Sequence, residues 1–263
     1  MPAAPDPRRP RLPRAAGRPL VLGHRGASAD APENTLAAFR LALTQGADGV
    51  ELDAWRCATG EVVVFHDQDA SRLAGTPLRV TRASFAELRA LDVGAWKGER
   101  FRGERIPRLE EALEAVAPAV VNVELKSARR PGDPRLAVAV ARIVRARRAG
   151  DRALISSFDW TLVTAFRLAA PEVATGLLVQ ARSRWRRLLG PAAALLHPQA
   201  IHPELALVTP ERARRWAAAG RPLVVWTVDA PADVERMCAL GAAALISNHP
   251  GRTREAVRRA TGV

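Results

Sequence analysis

Short apolar runs alternate with amphipathic helical patterns along almost the whole chain, and this alternation limits its fold more than any other feature. Nine runs have the length of buried strands: Leu20–Leu22, Ala47–Asp53, Val62–Phe65, Val120–Leu125, Ala153–Ser156, Thr175–Val179, Ala200–His202, Leu223–Val228 and Ala244–Ile246. Helical spacing fills most intervals: Leu109–Val116, Pro134–Arg147, Thr161–Leu168, Pro210–Ala218 and Ala232–Leu240. Such alternation predicts a parallel sheet, either a (β/α)8 barrel or a doubly wound sheet.

The third apolar run decides between these two folds. The link from Asp53 to Val62 is too short for a parallel crossover, which takes about a dozen residues or more. Val62–Phe65 is therefore predicted to return antiparallel through the turn Ala58–Glu61, with Asp53 opposite His66. Removing this hairpin strand leaves eight strands. We predict an α/β fold, a (β/α)8 TIM barrel with a small insertion after the second-strand hairpin.

The chain divides into a tail and one predicted domain. Residues 1–18 are rich in Pro and Arg, and we expect them to be disordered; residues 19–263 form the barrel. Residues 67–107 depart from the alternation and contain one helical pattern, Ser84–Leu91. Because this insertion follows the carboxyl end of a strand, we expect it on the catalytic face.

The charge of the chain says little about its partners. The formal net charge is +13, but only Lys97 and Lys126 are lysines. Arginine in such excess is typical of a GC-rich coding bias, so we expect no nucleic-acid partner. The basic segment Arg182–Leu189 is interpreted as a solvated helix face, with peripheral membrane contact as the alternative.

Several features favour a cytoplasmic protein. The N-terminal residues lack the apolar region of a signal peptide, and no apolar run is long enough to cross a bilayer. Cys57 and Cys238 lie far apart without metal-ligand spacing, so both are predicted to be reduced.

Acidic side chains recur at alternate positions in two of the predicted strands. Glu51 and Asp53 are separated by one residue, so both point to the same side of a strand, as do Glu124 and Lys126. Inside a barrel, such carboxylates repel each other unless a cation lies between them. Oxygen ligands favour Mg²⁺, Ca²⁺ or Mn²⁺ over zinc.

Two histidines also come at predicted strand ends. His24 precedes Arg25 in a glycine-flanked turn, and His66 follows an apolar run. Arginine suits a planar anion such as phosphate, and histidine moves protons near neutral pH. Two imidazoles beside a metal and an arginine can supply a base and an acid to phosphoryl transfer.

These residues fall in motifs that together resemble the glycerophosphodiester phosphodiesterase family. The motifs are His24–Gly26, Pro32–Thr35, Gly49–Asp53, Phe65–Asp67, Val123–Lys126 and Val225–Val228. The resemblance covers roughly residues 19–251. It implies a (β/α)8 barrel related to phosphatidylinositol-specific phospholipase C. It also implies hydrolysis of glycerophosphodiesters, such as glycerophosphocholine, to sn-glycerol 3-phosphate and an alcohol with one divalent cation, Mg²⁺ or Ca²⁺, or alternatively Mn²⁺.

The resemblance also implies a role for each matched residue. It assigns the acid–base pair to His24 and His66, the metal to Glu51, Asp53 and Glu124, phosphate binding to Arg25 and Lys126, and an apolar wall to Trp226. The role of Asn248 stays open, whereas His197 and His202 are interpreted as structural. The alternatives are a lysophospholipase D or phospholipase C-like activity on lipid phosphodiesters, and a non-catalytic phosphodiester-binding barrel.

Overall fold

The computed structural model describes residues 12–13, 15–181 and 198–263. In this part of the chain, the strands are β1 (Leu20–His24), β2 (Gly49–Arg56), β3 (Val62–Val64), β4 (Val120–Leu125), β5 (Ala153–Ser157), β6 (Ala174–Val179), β7 (Ala200–Pro203), β8 (Val224–Trp226) and β9 (Ala244–Ser247). Eight of them pair in the order β7-β6-β5-β4-β2-β1-β9-β8, with every pairing parallel. Parallel bridges Ile201–Leu223 and Glu204–Trp226 join the two edges. The predicted barrel is confirmed.

The helices of the described ranges cover the outside of this barrel, except for Ser71–Ala74 and Phe85–Ala90, which belong to the insertion. Their bounds are Leu36–Thr44, Ser71–Ala74, Phe85–Ala90, Leu109–Ala115, Pro134–Ala146, Trp160–Ala169, Pro210–Ala218, Pro231–Ala239 and Pro250–Thr261. Several begin at side-chain caps; Thr35, Asp159 and Thr209 each accept a hydrogen bond from a backbone N–H of the first turn. Such caps explain why the sequence located most helix starts to within two residues.

Alternating strand residues separate two cores. Outward-facing side chains such as Val121, Val123 and Ile155 pack against helix residues such as Phe166 in the layer between sheet and helices. Inward-facing side chains fill the amino end of the barrel, namely Leu20, Leu22, Leu154, Ala174, Ala200, Val224, Ala244 and Ile246. The interior is therefore apolar at its amino end, and buried polar side chains begin above it.

The predicted hairpin is present, but its register differs by one residue. β3 pairs antiparallel with β2, with Ala54 opposite Val64. The Phe65 N–H donates to the Asp53 carbonyl (2.9 Å), so Phe65 rather than His66 lies opposite Asp53. The prediction of His66 was wrong because it assumed a turn with two central residues. The loop instead has three, Ala58 to Gly60, closed by a hydrogen bond from Cys57 N–H to the Glu61 carbonyl.

The insertion is more structured than the sequence indicated. Beside the predicted helix, observed at Phe85–Ala90, it contains the helix Ser71–Ala74 and two 3₁₀ turns, Ala95–Lys97 and Glu99–Phe101. Its apolar side chains form a small core with Trp55 and Phe65 of the hairpin. Lys97 donates to the backbone carbonyl of Ser28 (2.8 Å). The insertion is thus held against the loop that follows β1.

Some sequence predictions concern residues outside the described ranges. These are residues 1–11 and Arg14 of the predicted tail, and residues 182–197, with His197 and the basic segment Arg182–Leu189. Arg18, the last residue of the predicted tail, donates two hydrogen bonds to Asp48 (2.7 Å each). None of the helices in the described ranges is long and apolar enough to cross a membrane.

Candidate active site

The carboxyl ends of the strands bring the predicted site residues together. Seven of the eight line one cavity: His24, Arg25, Glu51, His66, Glu124, Lys126 and Trp226. The eighth, Asp53, is not among the lining residues, and only 1% of its surface is exposed. The parallel pairing of β1, β2 and β4 sets this arrangement, because it places His24 beside Glu51 and Asp53 beside Glu124.

Glu51, Asp53 and Glu124 form a buried carboxylate cluster. One oxygen from each lies within 4.8 Å of the others. Burial and the repulsion among these groups raise the pKa of Glu51 well above its ordinary value. Burial likewise raises the pKa of Glu124 to about 7, even though Lys126 opposes the shift. An all-oxygen cluster with excess negative charge fits a hard divalent cation.

Two basic side chains partly neutralise this cluster. Lys126 Nζ lies 2.9 Å from Glu124 Oε1 and 3.3 Å from Asp53 Oδ1, and Arg25 Nε lies 3.3 Å from Asp53 Oδ2. Burial alone would raise the pKa of Asp53, but Lys126 and Arg25 lower it well below its ordinary value. Asp53 is therefore held ionised, and both cations are fixed beside the cavity.

A strained turn places Arg25. Its φ is +56°, in the left-handed region that non-glycine residues seldom adopt. In this conformation its backbone N–H donates to Glu51 Oε2 (3.1 Å). The next residue, Gly26, has φ +86°, and a Cβ there would lie 2.6 Å from the Ala38 carbonyl carbon. The turn thus requires glycine at position 26, which explains why the histidine and arginine are followed by one.

Asn248 determines which nitrogen of His24 carries the proton. His24 Nδ1 and Asn248 Oδ1 are 2.7 Å apart, while Asn248 Nδ2 donates to Asp229 Oδ2 (2.7 Å). Asn248 therefore presents its oxygen, an acceptor, and His24 donates through Nδ1–H. The other nitrogen, Nε2, lies 4.0 Å from Glu51 Oε2 and keeps its lone pair in the neutral ring. Burial lowers the pKa of His24 to about 4.

His66 has a charged partner instead. Its Nδ1 lies 2.7 Å from the carboxylate of Asp67. Burial lowers the pKa of His66 below its ordinary value, and Lys126 and Arg25 add to this shift, while Asp53 and Asp67 oppose it. From the insertion, Arg72 donates to Asp67 (2.7 Å) and through two nitrogens to Glu33 (2.7 and 2.8 Å).

Glu33 also accepts a hydrogen bond from Arg25 Nη1 (2.8 Å). Arg72 therefore connects His66, through Asp67, with Arg25, through Glu33. These contacts form one continuous chain from the insertion to the loop after β1.

Besides Glu33 and Asp67, three further residues outside the predicted set help to hold the site. Asn34, with φ +57°, donates from Nδ2 to Asp53 (2.8 Å), Arg72 binds Asp67 as described, and Asp229 orients Asn248. Asn34 belongs to the motif Pro32–Thr35, but the resemblance assigned no role to this residue. Arg72 and Asp229 stand in no chemical pattern along the sequence.

Trp226 lies on a largely apolar part of the cavity lining. Its ring packs edge-to-face against Phe158, with ring centres 5.5 Å apart. Its indole N–H donates to the backbone carbonyl of His202 (2.9 Å). Leu178 and Ile246 line the same side of the cavity. The cavity thus has a charged side around β1, β2 and β4 and a largely apolar side opposite.

Residues 24–252 match the model of the glycerophosphoryl diester phosphodiesterase family. The chain belongs to this family. A glycerophosphodiester phosphodiesterase of Caldanaerobacter subterraneus subsp. tengcongensis is 34% identical over 246 residues, covering 91% of this chain and 98% of the relative.

Solved structures of this family have the same barrel. A phosphodiesterase of Oleispira antarctica, solved in complex with the product sn-glycerol-3-phosphate, matches with a TM-score of 0.83 at 30% identity, covering 91% of this chain and 97% of that one. A glycerophosphodiester phosphodiesterase of Thermotoga maritima matches with a TM-score of 0.74 at 27% identity, covering 92% of this chain and 99% of that one.

Proposed function

We propose that this family member hydrolyses glycerophosphodiesters, such as glycerophosphocholine, to sn-glycerol 3-phosphate and an alcohol. The observation that carries the proposal is the combination of His24 and His66 with a buried carboxylate cluster, Arg25 and Lys126 around one cavity. The activity named for the Caldanaerobacter relative and the product bound to the Oleispira enzyme support the same reaction. A cytoplasmic location stays a prediction from the sequence.

The carboxylate cluster is proposed to hold one divalent cation. Glu51, Asp53 and Glu124 would bind Mg²⁺ or Ca²⁺, with Mn²⁺ as the alternative, because their oxygens are hard ligands. The cation would neutralise negative charge on the phosphodiester and on the transition state that forms from it.

Arg25 and Lys126 are proposed to bind the phosphate oxygens. Both are held in place before substrate arrives, Arg25 by Glu33 and Asp53, and Lys126 by Glu124 and Asp53. A cation that is already positioned needs no reorganisation when charge develops in the transition state. Each therefore stabilises the transition state by its fixed position as well as by its charge.

The partners of the two histidines suggest different roles. The neutral amide of Asn248 fixes the tautomer of His24 and leaves Nε2 free to accept a proton. The carboxylate of Asp67 opposes the lowering of the His66 pKa, and so favours the protonated ring that can donate a proton. We therefore assign His24 as the general base, which deprotonates water or the glycerol 2-hydroxyl, and His66 as the general acid, which protonates the departing alcohol.

The deciding experiment measures release of sn-glycerol 3-phosphate from glycerophosphocholine. Purified protein is treated with EDTA and then supplied with Mg²⁺, Ca²⁺ or Mn²⁺ in separate reactions. We expect EDTA to abolish turnover and at least one cation to restore it. Absence of turnover with every cation, also on glycerophosphoethanolamine and a lysophospholipid, would contradict the proposed hydrolysis and favour a barrel that only binds phosphodiesters.

A further inference from the structure

His202 is a buried imidazole that the proposed mechanism does not use. It lies on β7, is fully buried and lines the same cavity as the catalytic groups. Within the described ranges of the chain, neither Nδ1 nor Nε2 of this ring has a hydrogen-bond partner. Burial lowers its pKa to about 3, so the ring is neutral and offers one donor and one acceptor.

The fold makes room for this ring. His202 faces Gly176 on the neighbouring strand β6, and a Cβ at position 176 would collide with Nε2 of the ring. The pairing of Gly176 with Ala200 on β7 brings the glycine alongside. A glycine inside a strand normally weakens the packing of a sheet. Here Gly176 leaves space for the polar ring of His202, which indicates that the ring has a function.

A second polar group lies deeper on the charged side. Asn122 precedes Glu124 by two residues on β4, so it points to the same side one step further into the barrel. Its Nδ2 donates to Ser156 Oγ (2.8 Å), but its Oδ1 has no partner among the described residues. Asn122, Ser156 and His202 all line the cavity. Its floor therefore offers uncharged donors and acceptors, whereas its rim is charged.

Buried polar atoms without partners are costly, and proteins rarely keep several of them around one cavity. Neutral donors and acceptors suit hydroxyl groups, since each hydroxyl both donates and accepts. A phosphate would instead favour the charged rim at Arg25 and Lys126. The floor thus fits the hydroxylated part of a substrate whose phosphate lies at the rim.

We propose that His202 is a specificity-determining residue that hydrogen-bonds the terminal hydroxyl of the substrate's glycerol arm. This inference rests on the proposed function and adds to it which arm of the phosphodiester points inward. The variable alcohol then leaves toward solvent, past Trp226 and Phe158. An acyl group on the terminal hydroxyl would remove the donor and meet the apolar residues that fill the barrel below, so lysophospholipids are disfavoured.

The test compares glycerophosphocholine with its analogue in which the terminal hydroxyl of glycerol is replaced by hydrogen. This analogue keeps the 2-hydroxyl, so it can react whether the nucleophile is water or that 2-hydroxyl. For the wild type we expect kcat/KM to favour glycerophosphocholine roughly 10- to 100-fold. In His202→Leu this preference should fall about 10-fold, while His202→Gln, which keeps a donor and an acceptor, should retain most of it.

A matched control separates specificity from stability. Phe166→Leu also alters a fully buried side chain, but in the helical layer away from the cavity. It should slow both substrates equally if it slows them at all. A purely structural role for His202 predicts the same equal loss in His202→Leu.

If neither His202 variant folds, wild-type protein labelled with ¹⁵N-histidine decides the question. Among its five histidines, sn-glycerol 3-phosphate should shift one ring resonance that propane-1,2-diol phosphate leaves unchanged. Identical spectra would overturn the proposal, as would a wild type that turns over both substrates equally or a His202→Leu variant as selective as the wild type. If the wild type turned over neither substrate, the proposed function would be refuted, and this inference with it.

Discussion

The two histidines at the rim of the cavity stand in contrasting surroundings. His24 ends a barrel strand and donates to the neutral amide of Asn248, which Asp229 orients from the loop after the nearby strand β8. His66 follows the hairpin strand and contacts the carboxylate of Asp67, which the insertion residue Arg72 holds in place. Both rings place Nδ1 against a fixed acceptor and leave Nε2 for chemistry.

The difference shows how one pair of identical side chains can be given two roles. An amide oxygen fixes the tautomer of a ring without adding charge, so the neutral form persists. A carboxylate stabilises the positively charged ring and thus favours a proton donor. The barrel supplies the first arrangement and the insertion supplies the second. The insertion therefore contributes to the proposed catalytic machinery through Asp67 and Arg72.

The largest effect on activity is expected from removing each of the two histidines in turn. We expect His24→Ala and His66→Ala each to lower kcat on glycerophosphocholine by about 10²- to 10⁴-fold. On the p-nitrophenyl ester of glycerol phosphate, His66→Ala should recover most of its activity, because p-nitrophenolate leaves without a proton. His24→Ala should remain slow on both substrates. Stopped assays of both esters with each variant measure the effect.

The opposite pattern would exchange the two roles. If His24→Ala recovered on the p-nitrophenyl ester while His66→Ala did not, His24 would be the acid. Near-full activity of either variant on glycerophosphocholine would remove that histidine from the mechanism. Circular dichroism of each variant checks that the fold is retained.

Substitution of Arg72, which belongs to the insertion, should have a smaller effect on activity. Arg72→Gln removes the contacts to Asp67 and Glu33, so His66 and Arg25 lose an indirect support. We expect kcat to fall about 10-fold with little change in KM, since neither the phosphate contacts nor the cavity is removed. Arg72→Lys should rescue only part of the loss, because a lysine cannot replace the planar fork.

Arg102→Gln is the matched control for Arg72. Arg102 is also an arginine of the insertion, and it pairs with Glu99 on an exposed surface. Its loss should leave kcat unchanged. Equal activities of the Arg72 and Arg102 variants would show that the connection from the insertion to the two catalytic groups has no functional consequence.

The sequence predicted the barrel because the signal for each strand is local. Val120–Leu125 and Pro210–Ala218 are observed with the predicted bounds. An apolar run marks the strand, and the cap Thr209 and Pro210 mark the start of the helix. The hairpin was also predicted, from the short link between β2 and β3. Its register was wrong by one residue, because the loop length depends on local backbone geometry that residue type does not determine. The helix Ser71–Ala74 is too short to produce a period.

The residues of the site also fall into two groups: those that a local motif marks in the sequence, and those that act through contacts with distant residues. His24, Glu51 and Glu124 stand in motifs near the ends of barrel strands, so parallel pairing brings them together. His66 reaches the same place through the antiparallel hairpin of β2 and β3. Arg72 and Asp229 act through contacts with residues far away in the chain, 39 positions in the case of Arg72 with Glu33. Such partners become visible only when the fold brings them together. His202 was interpreted as structural because a lone histidine at a strand end carries no indication of whether its nitrogens are satisfied.

The ring of His202 has neither kind of partner among the described residues, and the effect expected from it is on stability. Its pKa in the folded chain is about 3, below the ordinary value of 6.5. Between these values the unfolded chain binds a proton that the folded chain does not, so the free energy of unfolding decreases as the pH falls from 6.5 towards 3. At pH 4.5 this effect amounts to about 2 to 3 kcal/mol for a fully buried imidazole.

Urea unfolding of the wild type and His202→Gln at pH 7.0 and 4.5 measures this decrease in the free energy of unfolding. Glutamine does not titrate, so the variant should lose less stability on acidification, by about the same 2 to 3 kcal/mol. Between pH 8 and 7, above this window, the two proteins should change alike. An equal acid-induced loss in both would mean that His202 accepts a proton in the folded state. In that case its nitrogens would have access to water or to a charged partner, and the uncharged cavity floor inferred for the glycerol arm would be wrong.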